Sequence, residues 1–294
     1  MVDLFQALGS GILVGMVYAL LALGVVLVFR ASEAFNFAVG EFLVVGAFLF
    51  LVAYVDLRLP LALALPLGLL AAAAVGGIVQ RLTIKPLLGR NPVSMTIVTL
   101  GLASVLRSAV QLVFGSHPYP FEIRLPDITL EIGDTLFLSE FLWAGVVSGL
   151  TFLVVIVFLF RTRWGVAIRA TSESQAKALA FGINSGFILL LVWMVSAVCI
   201  AIAGVVICNF GSLSYMTGIV GLRAIPVVLI GGMDSIPGAL VGGIVVGVCE
   251  ALVGTYIEPA GFIGFKEVAP YILLLLVLFF RPYGLFGTVR IERV

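Results

Sequence analysis

The feature that most constrains this chain is a succession of long runs that are apolar on nearly every face. They fall at 5–29, 36–55, 59–80, 92–115, 140–160, 187–210, 219–232, 238–257 and 268–280. About 20 predominantly apolar residues suffice to cross a bilayer as a helix, and most of the runs reach that length. The seventh and ninth are shorter and read either as half-helices or as spans completed by their neighbours. A soluble bundle would instead show polar stripes at helical period. Composition agrees with lipid as the solvent: 62% of residues are hydrophobic and 11% charged, with a mean hydropathy of +1.27. The expected fold is all-α, a single transmembrane domain over 1–294 with about eight to ten spans, short or broken helices included.

The first run is expected to be a span rather than a cleaved leader. It lacks a basic n-region, since Asp3 is the sole charge before Arg30. Basic residues orient the rest. Arg81, Lys85 and Arg90 share one short loop, Arg161, Arg163, Arg169 and Lys177 another, and Arg281, Arg290 and Arg293 close the chain. These regions are expected on the cytoplasmic side. The segment 116–139 carries Glu122, Asp127, Glu131 and Asp134 against Arg124 alone and is expected outside. Nine crossings, with the N-terminus outside, satisfy this alternation.

Several function classes are disfavoured. A net charge of +1 leaves no concentrated basic face for nucleic acid. Cys199, Cys208 and Cys249 lie in apolar runs, and His117 has no neighbours at ligand spacing, so neither a disulfide framework nor a metal or other cofactor is expected. No cluster suggests a membrane-embedded enzyme.

Polar residues inside apolar runs mark a path or an interface. In the fourth run Thr96, Thr99, Ala103 and Arg107 share one helix face, with Ser104, Ser108 and Gln111 beside it. That face reads either as the lining of a hydrated translocation path or as a contact with a partner helix, Arg107 snorkelling outward. Glu41 and Glu250 are isolated charges, each expected to pair with a basic residue on a neighbouring helix. Asn36 reads as the N-cap of the second span. The polar stretches 211–218 and 231–238 are candidate breaks; the second, with Gly-Gly and Pro-Gly, reads as a turn. Gly11-x-x-x-Gly15, Gly238-x-x-x-Gly242 and Gly243-x-x-x-Gly247 offer close helix contacts.

The segment 161–186 differs from the spans. Val166 to Phe181 lacks proline and glycine, and Arg169, Glu173 and Lys177 are spaced four apart. One amphipathic helix with a Glu173–Lys177 pair is expected, ended by Gly182. It reads either as a helix lying on the lipid surface or as one docking into a groove on a partner.

Four stretches together resemble the LivH-type permease of branched-chain amino acid ABC importers. They are Asn36-Phe-Ala-x-Gly-Glu41; Arg161-x-Arg-Trp-Gly-x-Ala-Ile-Arg-Ala170 with Ala178-Leu-x-x-Gly-Ile-Asn184; Gly231-Gly-Met-x-Ser-Ile-Pro-Gly-Ala239; and Arg281-Pro-x-Gly-Leu-Phe-Gly287. They span essentially the whole chain in the family's order. Asp234 departs from the family, which usually has a small residue there. The resemblance implies a multi-pass protein of a prokaryotic cytoplasmic (inner) membrane. It implies assembly with a second related permease, two cytoplasmic ATPase subunits and an external substrate-binding protein. It also implies that Ala176-Lys-Ala-x-x-x-Gly182 stands where such importers carry a Glu-Ala-Ala-x-x-x-Gly loop, here with Ala in place of Glu. Arg169, Glu173, Ala178 and Gly182 are then the coupling candidates, and Asn36, Glu41, Thr96, Thr99 and Arg107 the path candidates. No Walker A pattern surrounds Lys85, Lys177 or Lys266, so ATP is expected to act through another chain. Family members carry branched-chain amino acids, relatives urea, amides or small carboxylates. A stand-alone carrier or channel is the alternative reading.

Overall fold

The computed structural model describes residues 2–87, 91–123, 125–132 and 135–288. Of the charges used above for orientation, Arg90, Arg124, Asp134, Arg290 and Arg293 lie outside the described residues. In chain order the helices are α1 (Val2–Ser32), α2 (Val39–Leu51), α3 (Leu61–Val79), α4 (Pro92–Phe114), α5 (Ser139–Arg161), α6 (Arg163–Glu173) and α7 (Gln175–Ala180). They continue with α8 (Ser185–Cys208), α9 (Gly218–Gly221), α10 (Ala224–Gly231), α11 (Ile236–Tyr256) and α12 (Phe265–Phe280). Single π-helical turns, Val52–Asp56 and Gln80–Ile84, extend α2 and α3. Four short strands complete the chain: β1 (Tyr119–Pro120), β2 (Leu130–Ile132), β3 (Thr135–Phe137) and β4 (Ser212–Leu213). β2 and β3 form a hairpin, and β1 pairs antiparallel with β4 in the register Tyr119–Leu213.

Among the described residues seven helices are long and apolar enough to cross a membrane. The seventh and ninth sequence runs become the short apolar helix Tyr215–Gly231, interrupted between α9 and α10, and the 16-residue α12. The fold is therefore the polytopic helical bundle expected. The apolar runs end where a side chain takes over the first free amides of the next helix. Asn91 accepts from Val93 N at 2.9 Å ahead of α4, Asn184 from Phe187 N at 3.1 Å ahead of α8, and Ser235 from Gly238 N at 3.0 Å ahead of α11.

The chain divides into two compact units. One comprises Met1–Val26, Arg124–Gly149 and Arg223–Val294; the other comprises Leu27–Ile123 and Leu150–Leu222. In the first, the small-residue spacings of α1 and α11 meet each other. A Cβ at Gly15 would come within 2.8 Å of the Gly243 carbonyl oxygen, and one at Gly11 within 3.0 Å of that of Gly247. The 231–238 stretch is the turn expected between α10 and α11. In the second unit α2, α3 and α8 pack on one another, again through small residues: a Cβ at Gly76 would lie 2.7 Å from that of Ala197. Between helices in lipid no hydrophobic difference drives association, so close backbone approach of this kind supplies the packing energy. The outer faces of α3, α4 and α5 remain apolar and exposed, as at Leu70, Leu112 and Val154, which suits lipid or a partner helix.

Candidate functional site

The path candidates converge within the second unit. The loop between α1 and α2 turns through Asn36, whose Oδ1 accepts the Ala38 amide at 3.0 Å. This corrects the N-cap expectation. α2 starts at Val39 behind Ala38 with no side-chain cap, and Asn36 closes a turn two residues earlier. From α4, Thr99 Oγ1 accepts the Phe37 amide at 3.1 Å, and Thr96 Oγ1 accepts the Phe35 amide at 3.3 Å. The two threonines thus hold the loop's backbone. Gly40 follows because a Cβ there would overlap the Gly218 backbone where α9 crosses α2.

In the first turn of α2, Glu41 meets the Arg107 guanidinium of α4, with Oε1 accepting from Nη2 at 2.5 Å and from Nε at 3.1 Å. This is the pairing expected for Glu41. The pair is lopsided: the Glu41 side chain is 6% exposed and that of Arg107 48%. Asn36 and Thr99 are also buried, and Thr96 and Ala103 partly so, so this face of α4 turns inward. The neighbouring stripe turns outward, with Ser104 and Ser108 exposed. A charged head half-exposed along a span faces protein or water far more readily than hydrocarbon.

The 211–218 stretch is a β4 pairing followed by one 3-10 turn. Its Ser214 amide donates to Thr217 Oγ1 at 3.0 Å, and no helix break is involved.

The segment 161–186 forms two helices where one was expected. Ser174 ends α6 in extended conformation and caps α7, accepting the Lys177 amide at 3.3 Å. Serine competes for backbone amides in this way, a signal that the absence of Gly and Pro obscured. Glu173 and Lys177 therefore sit on different helices, and the helix pair expected between them does not form. Thr162 caps α6 by accepting the Gly165 amide at 3.1 Å. Arg169 places its guanidinium 4.6 Å over the Phe160 ring. Glu173 is exposed, while Ala178 and Ile168 are buried. Gly182 ends α7 as expected: at φ +79° it lets its own amide reach Leu179 O at 2.9 Å and that of Ile183 reach Ala178 O at 3.0 Å. The apolar surface this leaves outward is Trp164, Val166, Leu179 and Phe181, the last 85% exposed.

Two arrangements of the first unit escaped the sequence reading in whole or part. Glu250 on α11 pairs as expected, but its partners went unnamed. Arg223 Nη1 donates to Glu250 Oε2 at 3.1 Å and to the Tyr18 hydroxyl at 2.5 Å, and that hydroxyl donates to the same carboxylate oxygen at 2.7 Å. Arg223 stands alone between Lys177 and Lys266, and a lone arginine in an apolar run was the available signal. Further on, the segment after α12 lies along the end of α10. Leu285 N donates to Ile230 O at 2.8 Å and Phe286 N to Gly231 O at 3.0 Å, satisfying carbonyls that a helix terminus leaves open. Two of the four stretches read from the sequence, 231–239 and 281–287, are thus one structural feature.

Seven helices long and apolar enough to cross a membrane among the described residues, with the Glu41–Arg107 and Glu250–Arg223 ion pairs, define a polytopic membrane protein. Residues 7–280 match the family model described as branched-chain amino acid transport system / permease component, and the chain belongs to that family. It is 31% identical to the high-affinity branched-chain amino acid transport system permease protein BraD of Pseudomonas aeruginosa, over 98% of this chain and 97% of that one. It is 28% identical to LivH of Escherichia coli K12 over the same shares, and 27% identical to a probable LivH of Methanocaldococcus jannaschii over 91% and 88%. Among solved structures, PsaBC from Streptococcus pneumoniae in complex with Fab shares the fold at a TM-score of 0.50 and 16% identity, covering 96% of this chain and 92% of that one.

Proposed function

We propose that this permease is one membrane subunit of an ABC importer in the cytoplasmic membrane of a prokaryote, passing branched-chain or related small amino acids. The observation that carries the reading is the family match over 7–280. In this reading the path runs along the α4 face that presents Arg107, opposite a second, related permease. Arg107 contributes the polar surface there. Glu41 holds it by charge, and Asn36, Thr96 and Thr99 brace the loop from which α2 starts. ATP is hydrolysed by two separate cytoplasmic subunits, and solute arrives from an external binding protein. The α6–α7 segment meets an ATPase through Leu179 and Phe181, with Arg169, Ala178 and Gly182 shaping it from within and Glu173 on its exposed side.

The test is uptake of labelled leucine into vesicles holding the chain co-expressed with a candidate second permease, two ATPase subunits and a binding protein of the same transporter type. Leucine uptake that needs both ATP and the binding protein is expected. Arg107→Lys, which keeps a cation beside the buried Glu41, should lower uptake while leaving assembly and basal ATP hydrolysis intact. Uptake that proceeds without any ATPase would sink the importer reading and favour a stand-alone carrier. Loss of assembly in Arg107→Lys would move Arg107 from the path to a packing contact.

A further inference from the structure

We propose that the flank of this chain formed by α3, α5, α6 and α8 holds an anionic phospholipid, its headgroup at Arg163 of α6 and one acyl chain along α8. Two adjoining concavities carry the inference, and neither belongs to the path or to the charge clusters. The first is a cleft of about 510 Å³ lined by Arg163, Trp164, Ala167, Asn184 and Phe187. The second is a groove of about 510 Å³ whose wall is almost wholly apolar, built from Ala73 of α3, Phe158 of α5, and Leu191, Val195 and Val198 of α8. Phe187 lines both, so the two adjoin at that ring.

The chemistry changes along this track in the order that a phospholipid requires. At its mouth stands the Arg163 cation, with Arg161 two residues away, and among the described residues neither has a carboxylate within ion-pair distance. Asn184 lines the same mouth; its Oδ1 is committed to capping α8, so the amide NH₂ is what it offers a phosphate. Next comes Trp164, its ring 5.4 Å from that of Phe187, at the boundary where indoles settle in membranes. Hydrocarbon wall follows. From Phe187 to Val198, a helix advances about 16 Å at about 1.5 Å per residue. One leaflet of a hydrocarbon core of about 30 Å is nearly the same depth. An unpaired cation over a groove one leaflet deep selects a lipid that carries negative charge.

The full-length chain in mild detergent is titrated with phosphatidylglycerol and, separately, with phosphatidylcholine of the same acyl chains, and bound lipid is counted by native mass spectrometry. Phosphatidylglycerol should be retained about fivefold better, the scale for one basic side chain at an anionic lipid surface. Arg163→Gln, an exposed position, should erase that preference, and Val195→Trp, which fills the groove, should lower retention of both lipids. A phosphatidylglycerol with a photoreactive acyl chain should label wild-type peptides containing Phe158 and Leu191, a readout that needs no variant to fold. Equal retention of the two lipids, indifference to Arg163→Gln, or acyl labelling elsewhere would overturn the proposal. So would disulfide formation between two Val195→Cys chains with no acyl labelling, since a second copy would then cover the groove.

Discussion

Asp234 and Thr288 stand 54 residues apart and are joined twice: the Thr288 amide donates to Asp234 Oδ1 at 3.3 Å, and its hydroxyl donates to Oδ2. Asp234 thus adds an exposed side-chain contact to the segment that lies along the end of α10. The backbone is fitted more tightly than this exposed contact. Gly284 sits at φ +78°, and a Cβ there would come within 2.6 Å of Leu229 O. Gly284→Val should therefore destabilise the chain by roughly 1–3 kcal/mol of backbone strain, with steric overlap adding to it. Asp234→Ala should cost under about 1 kcal/mol, as for a solvent-exposed hydrogen bond. Thermal unfolding of the purified chain measures both. An Asp234→Ala loss equal to that of Gly284→Val would mean that the side chain, and not the close backbone fit, holds the segment.

The Tyr18, Arg223 and Glu250 cluster should behave as one unit. Glu250 is buried, with its Oε1 making no hydrogen bond of its own. Arg223→Met would leave that carboxylate unpaired, at a cost of about 3–5 kcal/mol. Tyr18→Phe removes one hydroxyl from the network and should cost about 1–2 kcal/mol. Adding Glu250→Gln to Arg223→Met should restore most of the stability, because the uncompensated charge disappears. If the losses of the two single variants simply add in the double variant, the groups are not coupled.

Burial separates two kinds of residue in the α6–α7 segment. Ala178 is buried at 2% exposure, so Ala178→Glu should disrupt the packing of α7 itself and raise protease sensitivity of 161–186. Phe181 and Leu179 face outward, so Leu179→Asp and Phe181→Asp should leave thermal stability unchanged. They should weaken association with the ATPase by about 2 kcal/mol or more each if they are central to the contact. ATP-driven uptake and ATPase co-purification are the measurements. Unchanged uptake in both aspartate variants would remove this surface from coupling and leave α6 and α7 as helices lying on lipid.

Topology is checked by labelling from one side. Thr129 lies in the acidic segment and Ser174 at the junction of α6 and α7. In a background lacking Cys199, Cys208 and Cys249, cysteines at these two positions should react with an impermeant reagent from opposite faces of the membrane. Reaction of both from the same face would overturn the orientation drawn from the basic loops.

Much of this was legible before any tertiary structure. Residues such as Leu20 to Val28 allow only a helix at membrane depth, because each amide and carbonyl must find its partner within the segment. Caps and turns were legible where one residue decides them, as at Gly182 and at the Gly231–Gly238 turn. They were misread where two local choices compete. Asn36 closes a turn before α2 instead of capping it, and Ser174 splits a segment whose other residues all favour continuous helix.

What the sequence by itself determined was therefore local: which segments are helical, which solvent surrounds them, and which charges are too costly to be accidental. Only the tertiary structure decided how those charges are matched. Glu41 meets Arg107 across 66 positions, and Tyr18 meets Glu250 across 232. A charge in an apolar run announces that it needs a partner, since burial alone is so unfavourable. Which partner it reaches depends on the rotation and depth of whole helices. Those are set by close approaches such as Gly15 against Gly243, a matter of where small residues meet across the fold and not of any one segment's composition.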